Sequence, residues 1–419
     1  MARTIEHHHC PTATVTSRAL LPADVFIRRV TELSAAGAAA ALSFALAQGA
    51  QAAPPGTFQG EMQALFNHIC TTASGSADCN GAGPGSGGQA GVQNDNLAQN
   101  IIEQRMHELQ CGPDGNAGAE CGGHTGGASE DSTSYEGLSV YVSSNYENKD
   151  HDNTDFETGY DSNKGGLTMG LDGRIGTTAV IGGAVDYGHT WGNFDHDGGD
   201  FSLDSVGALF YGSYFPSDQS FIDAVVGVAA KSYELNRQFT RLVPGGPDIT
   251  PSKGDTDGFE FTSSLAGGYD FTFDALTIGP RAGFYYKRTE FNAFSEKGGV
   301  LALRYEDEVE DSLTTRIGGQ ATYAISTSFG VIVPQVTAEY VHEFLNGQQA
   351  IHAQSVLDPT PAGAVDYLTN PPDRNYAEIG AGVVFVLPNG VSPYINYQAQ
   401  IANQFDQIQT VTIGVRLEL

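Results

Sequence analysis

From Val411 to the end of the chain, apolar and other residues alternate. Val411, Ile413, Val415, Leu417 and Leu419 fall on one side; Thr412, Gly414, Arg416 and Glu418 fall on the other. Successive side chains of a strand point to opposite faces, so this stretch predicts a strand with one apolar face. The same period recurs upstream. Leu138, Val140 and Val142 alternate with Ser139, Tyr141 and Ser143, and Leu167, Met169 and Leu171 with Thr168, Gly170 and Asp172. Ile222 to Val228, Ile317 to Tyr323, Val336 to Tyr340 and Ile395 to Ala399 repeat it. Between Tyr135 and Leu419 there are about twelve such segments, most near the ten residues that a tilted membrane strand requires.

The connections choose between a sandwich and a barrel. Ile175-Gly176-Thr177, Pro216 to Gln219, Phe273-Asp274-Ala275, Thr327-Ser328 and Pro388-Asn389-Gly390 are tight. The alternate connections are mostly longer and polar: Glu147 to Asn163, Asn193 to Asp200, Leu242 to Asp257, Ala293 to Glu310 and Asn346 to Arg374, with Asn403 to Gln407 the one short link on that side. Short turns at one end and long loops at the other are the arrangement of an outer-membrane barrel. The prediction for residues 132–419 is all-β, a transmembrane antiparallel β-barrel of about 12 strands. Its apolar face, including that of the last strand, would meet lipid. Asp172, Arg174, Arg316, Glu339, Arg416 and Glu418 would face the lumen.

Upstream the period changes. Met62, Leu65, Phe66 and Ile69 fit one face of a short helix, and Leu97, Ile101, Met106 and Leu109 fit another from about Asn96 to Gln110. Asn94-Asp95-Asn96 supplies a cap for the second. Gly- and Ser-rich tracts lie between and after them. Residues 53–131 therefore predict a short helical segment, too small to be stable alone without cross-links. Its four cysteines, Cys70, Cys79, Cys111 and Cys121, are disulfide candidates in an exported protein, with the neighbours Cys70–Cys79 and Cys111–Cys121 closing the smallest rings. Residues 1–52 read as an upstream extension and signal peptide: Arg28-Arg29, the apolar Ala35 to Ala47 and Ala50-Gln51-Ala52 are its three parts. The true start would then lie near Val25.

Composition removes other classes. The formal net charge is −29, which argues against nucleic acid. There are 53 glycines, 18 tyrosines and 22 phenylalanines, but one tryptophan, suiting close strands with aromatic girdles. Asp150-His151-Asp152 with Asp155, and Asp195-His196-Asp197 with Asp200, offer oxygens for calcium but lack the twelve-residue spacing, and read as solvated acidic loops. His7-His8-His9-Cys10 lies before the signal peptide and reads as incidental. His342-Glu343 and Glu339 share one strand, which alone cannot build a protease site. No phosphate loop, nucleophile elbow or zinc-protease motif occurs. The expectation is a non-enzyme without metal or cofactor.

Residues Ser205 to Tyr214, Gly268-Tyr269-Asp270, Gly279-Pro280-Arg281, Phe294-Ser295-Glu296, Pro334 to Phe344, Asp373 to Tyr376 and the terminal G-V-R-L-E-L follow one another in a characteristic order. In this order, from about Tyr135 to Leu419, the chain resembles the C-terminal translocator barrels of autotransporters, the type V secretion family. Two features depart from that family: the last residue is Leu419 rather than Phe or Trp, and only residues 53–131 stand where a long passenger is usual. The resemblance implies a monomer in the outer membrane of a Gram-negative bacterium, with outer-membrane lipid, the barrel assembly machinery and periplasmic chaperones as partners. The last strand would carry the assembly signal. The barrel would export or display its own N-terminal segment, with the helix near Asn96 to Gln110 in the pore and Ala53 to Cys79 at the surface. The alternative is a stand-alone adhesin-like barrel or minor porin acting through acidic extracellular loops.

Overall fold

The computed structural model describes residues 56–72, 86–87 and, apart from 177, 244–245, 346 and 372, all of 137–419. The signal peptide, the second helix, Cys79, Cys111 and Cys121 lie outside the described residues. Cys70 falls in the last turn of the one described α-helix, α1, Phe58–Thr72.

Twelve strands form the wall: β1 Leu138–His151, β2 Tyr160–Ile175, β3 Ala179–Phe194, β4 Gly199–Ser217, β5 Ser220–Val243 and β6 Gly246–Tyr269, then β7 Leu276–Phe291, β8 Glu308–Tyr323, β9 Gly330–Glu343, β10 Asn375–Val386, β11 Val391–Ile401 and β12 Asp406–Glu418. Each pairs antiparallel with its sequence neighbours. The last pairs with the first over thirteen residues, from Asp406↔His151 to Glu418↔Ser139. Closure leaves no free edge, so every strand can meet its hydrogen-bonding needs inside the wall.

One end of the barrel is made of tight turns. Asn389 and Gly390 both take left-handed φ values, 67° and 70°, as a two-residue hairpin requires. Asp274 does the same at φ 55°. Over the turn-side part of the strands most outward residues are apolar and exposed, while the tall ends of β5 and β6 carry exposed charges such as Glu234, Asp255 and Asp257. Val411, Ile413, Val415 and Leu417 of β12, and Leu419 just past it, are 39–64% exposed, whereas Thr410, Thr412 and Arg416 are buried inside.

Glycines inside the barrel make room for rings. A Cβ at Gly170 would run into Tyr141, one at Gly182 into Tyr211, and one at Gly414 into Tyr394. Each ring lies across the backbone of the neighbouring strand, where only glycine lets it approach.

The opposite end differs from the predicted row of polar loops. Leu242 to Asp257 is almost wholly strand, because β5 and β6 run 24 residues each and pair to Val243↔Gly246. Residues 246–257 carry two prolines and three aspartates and show no apolar period. Their strand form comes from pairing with β5. Within Ala293 to Glu310 and Asn346 to Arg374, the segments Phe294–Ser295, Leu303–Tyr305, Ala350–Ser355 and Ala364–Leu368 make a separate four-stranded sheet. Glu147 to Asn163 also shrinks, since β1 reaches His151 and β2 starts at Tyr160.

These pieces dome over the barrel mouth and share one apolar core with α1. Phe58, Met62, Leu65, Phe66 and Ile69 form a single stripe at helical spacing and are all buried. They pack with Phe201 of β4, with Leu235 and Phe239 of β5, with Leu303, Ile351, Val365 and Tyr367 of the small sheet, and with Leu301 just before it. Five such side chains contribute about 10 kcal/mol gross, before the cost of ordering the helix. Among the described residues no helix is long and apolar enough to cross a membrane, which says nothing about strands.

Candidate functional site: the lumen and the helix-filled mouth

Alternation puts polar side chains into the lumen, and pairing brings some of them together. Near the turn end, Asp172 is buried and accepts hydrogen bonds from Ser139 Oγ at 2.8 Å and Tyr211 Oη at 3.0 Å. Arg416 donates to Ser139 Oγ at 3.2 Å and pairs with Glu418 at 2.7 Å. Asp172, Arg416 and Glu418 thus belong to one network. Arg174 sits at the strand end, half-buried, its backbone N–H bonded to Gly137. Farther along the lumen Arg316 pairs with Glu378 at 3.2 Å and lies 4.5 Å from the centre of the Tyr285 ring. Glu339 stands half-buried and directly opposite Glu378 on the adjacent strand. Lys231–Glu260 at 2.8 Å is a further buried pair, one the alternation alone did not single out.

The mouth is built around α1. Thr57 caps the helix, its Oγ1 accepting from the Gly60 N–H at 3.1 Å, while Glu61 accepts from the Gly56 N–H at 2.9 Å. This is a close variant of the capping box. The Gly56 carbonyl then accepts from the Leu368 N–H, which ties the helix start to the small sheet. At the other end His68 Nε2 meets Asp358 at 2.6 Å. Thr360 and His68 together hold the Asp358 carboxyl low, at about 2.

Beneath the helix lies Arg237, fully buried. Its Nε donates to Glu296 at 2.8 Å, a second nitrogen bonds the other Glu296 oxygen, and that nitrogen also donates to the Leu301 carbonyl at 2.9 Å. Its guanidinium lies 4.5 Å from the ring centre of Phe239 and 5.6 Å from that of Phe58. Burial works against the Arg237 charge, but Glu296 outweighs it and keeps the group cationic. Removing one partner of such a buried pair costs about 3–5 kcal/mol, since the other charge is left stranded. The sequence carried a trace of this feature: Arg237 interrupts the inward row Tyr233, Leu235, Phe239, and Glu296 lies in a segment that marks the family resemblance.

At the rim, above the last outward aromatic of β1, Tyr146, the first and last strands are joined by buried charge. His151 Nδ1 meets Asp406 at 2.7 Å and Nε2 meets Glu157 at 3.1 Å. Lys149 pairs with Asp406 at 3.2 Å, and the Tyr160 ring stacks on His151. Burial alone would lower the His151 pKa; the hydrogen bonds to Asp406 and Glu157 outweigh it and hold it at about 8. Burial would likewise raise Asp406, yet Lys149 and His151 hold it well below the usual carboxylate range. His151 is therefore not part of a solvated acidic loop, as the sequence suggested. Among the described residues no group of three or more His, Cys, Asp or Glu is placed to hold a metal ion. His342 bonds Asn375, not a catalytic partner.

Comparison with known proteins agrees with this architecture. The translocator domain of the autotransporter NalP from Neisseria meningitidis superposes with a TM-score of 0.55 at 15% identity, covering 77% of this chain and 96% of that domain. The β domain of the Bordetella autotransporter BrkA superposes at 0.49 and 18% identity, covering 68% and 100%. An extracellular serine protease of Serratia marcescens is 25% identical over 265 residues, which is 62% of this chain but 24% of that protein. The Autotransporter beta-domain family model matches residues 140–398. With that match spanning more than half of the sequence and twelve strands closed into one barrel, the chain belongs to the Autotransporter beta-domain family, whose barrels are transport modules of the Gram-negative outer membrane.

Proposed function

We propose that this barrel is a translocator that carries its own residues 53–131 outward and keeps the first of them at the surface, with α1 closing the mouth. The observation that supports this is where α1 lies. It is buried at the loop end, which faces outward in outer-membrane barrels. The wall, however, begins at Leu138 at the turn end. The chain that leaves Thr72 at the mouth returns to the wall at the opposite side of the membrane. A closed wall with an apolar outer face makes the polar lumen the route that this proposal assigns to export.

The lumen charges Asp172, Arg174, Arg316, Glu339, Arg416 and Glu418 would keep that route polar, and the lipid-facing Val411 to Leu419 would present the last strand to the assembly machinery. Periplasmic chaperones would deliver the chain, and the barrel would act as a monomer without catalysis of its own. Local disulfides Cys70–Cys79 and Cys111–Cys121 would keep the exported segment narrow. The porin-like reading is disfavoured because an apolar core fills the mouth.

An epitope inserted after Ala53 tests the proposal on intact cells. We expect antibody labelling without permeabilisation. Labelling only after the outer membrane is breached would place the segment in the periplasm and restore the stand-alone barrel.

A further inference from the structure

The wall leaves one stretch of strand edge without a wall partner. β5 climbs to Val243, but β4, which pairs with one side of it, begins at Gly199 opposite Arg237. One step higher the Gln238 N–H still bonds the Gly198 carbonyl, at 2.9 Å. Alternate residues of a strand turn N–H and C=O to the same side, so Thr240 and Leu242 turn theirs to this edge, above the end of β4. A bare edge is a template for another strand. Among the described residues one segment takes it: Ser86 stands opposite Thr240 and Gly87 opposite Phe239, antiparallel to β5.

Direction and spacing put this short strand in the path of the exported segment. β5 rises from the turn end, so its antiparallel partner descends, and in passing from Ser86 to Gly87 the chain heads back toward the barrel. The next step down the edge is taken by Gly198, so the chain leaves the edge after Gly87. The two described pieces of the segment meet β5 at the same residue. The Phe239 ring lies 6.2 Å from that of Phe58 in α1, while the Phe239 backbone stands opposite Gly87. Residues 73–85 join these two contacts. Docking of α1 raises the effective concentration of Ser86 at the edge, so a pairing too short to hold by itself forms within one chain.

We propose that the upper edge of β5 is a clamp for the exported segment. Ser86–Gly87 joins it as a short added strand and α1 fills the mouth beside it, so residues 73–85 are stapled to the outer face as a closed loop. Export then halts with Gly87 at the rim. Residues up to 87 are displayed, and those from 88 onward form the limb that returns to Leu138. Strand addition works through the main chain and asks little of the side chains, which suits the run Gly85-Ser86-Gly87-Gly88. The clamp rests on the translocator reading for its direction and on the pairing with β5 for its place.

The variant Ser86→Cys/Thr240→Cys, made in the full chain and assembled in outer membranes, tests the clamp. Hydrogen-bonded antiparallel partners have Cα atoms about 5.5 Å apart, inside the span that a disulfide bridges. Peptide mapping without reduction should find positions 86 and 240 linked in most molecules. Ser86→Cys/Ser217→Cys, with Ser217 at the turn end, should show no link between its two substituted positions. Absence of the 86–240 link in barrels that keep their heat-dependent gel mobility would overturn the proposal. Should the paired variant not assemble, amide exchange carries the test. Ser86→Pro removes the N–H offered to the Thr240 carbonyl, and the Thr240 amide should then exchange about tenfold faster. The amides of Phe221 to Val228 should keep the parent's rates, and Ser76→Pro should change nothing. An unaltered Thr240 rate in Ser86→Pro would equally overturn the clamp. An epitope after Ala53 that is exposed, in barrels without the 86–240 link, removes the clamp alone and leaves the translocator standing. A link in barrels whose epitope is labelled only after the membrane is breached overturns the export and leaves the pairing.

Discussion

At the scale of single residues, the lumen depends on where side chains are absent. Tyr394 of β11 occupies the space above Gly414 of β12, and a Cβ at 414 would collide with its ring. Gly414→Val should therefore lower the yield of assembled barrel severalfold, read as loss of the fast-migrating unboiled band in detergent gels. Overpacking of this kind costs about 1–3 kcal/mol. Adding Tyr394→Ala removes the obstacle and should restore part of the yield. If the double variant assembles no better than Gly414→Val alone, the ring contact is not what excludes larger residues. The alternation placed Gly414 on the inward face, but nothing in the sequence said that a tyrosine from the next strand would fill its space.

At the scale of elements, α1 is the piece whose role the structure changes most. Its stripe of Met62, Leu65, Phe66 and Ile69 was legible as a helix because the spacing is helical. Phe58 completes the stripe and stacks edge-on against Tyr367 at 4.9 Å. The sequence could not show that the stripe faces a core assembled from segments that read as loops. Phe58→Ala should weaken docking by about 3–5 kcal/mol, the range for deleting a buried phenylalanine. Protease added to intact cells should then cut within residues 58–72 faster than in the parent, and single-channel conductance in planar bilayers should rise. Unchanged proteolysis and unchanged conductance together would mean that α1 does not close the mouth.

At the scale of the whole molecule, closure joins the first strand to the last, and the His151–Asp406–Glu157 cluster sits at the outer end of that seam. Lys149, also bonded to Asp406, and the stacked Tyr160 face the same imidazole. The folded pKa of His151, about 8, exceeds the usual histidine value of 6.5. Its stabilisation is thus complete below about pH 6.5 and is lost as pH rises through about 8. The shift corresponds to about 2 kcal/mol. Denaturant unfolding of the barrel in detergent should show the parent exceeding His151→Gln at pH 6, with the gap shrinking by about that amount at pH 8.5. A gap independent of pH would exclude this linkage. The seam also marks what each level of description could reach. Twelve strands, their inward and outward faces, the tight-turn end and the family were all set by the sequence, because a period of two and short turns are local properties of the chain. The domed mouth was decided only by the tertiary structure. The Pro- and Asp-rich residues 246–257 become strand by pairing with β5, and His151 becomes a buried cation only when Asp406, 255 residues away, closes the ring. Contacts between distant residues leave no period along the chain, so their formation depends on the folded barrel.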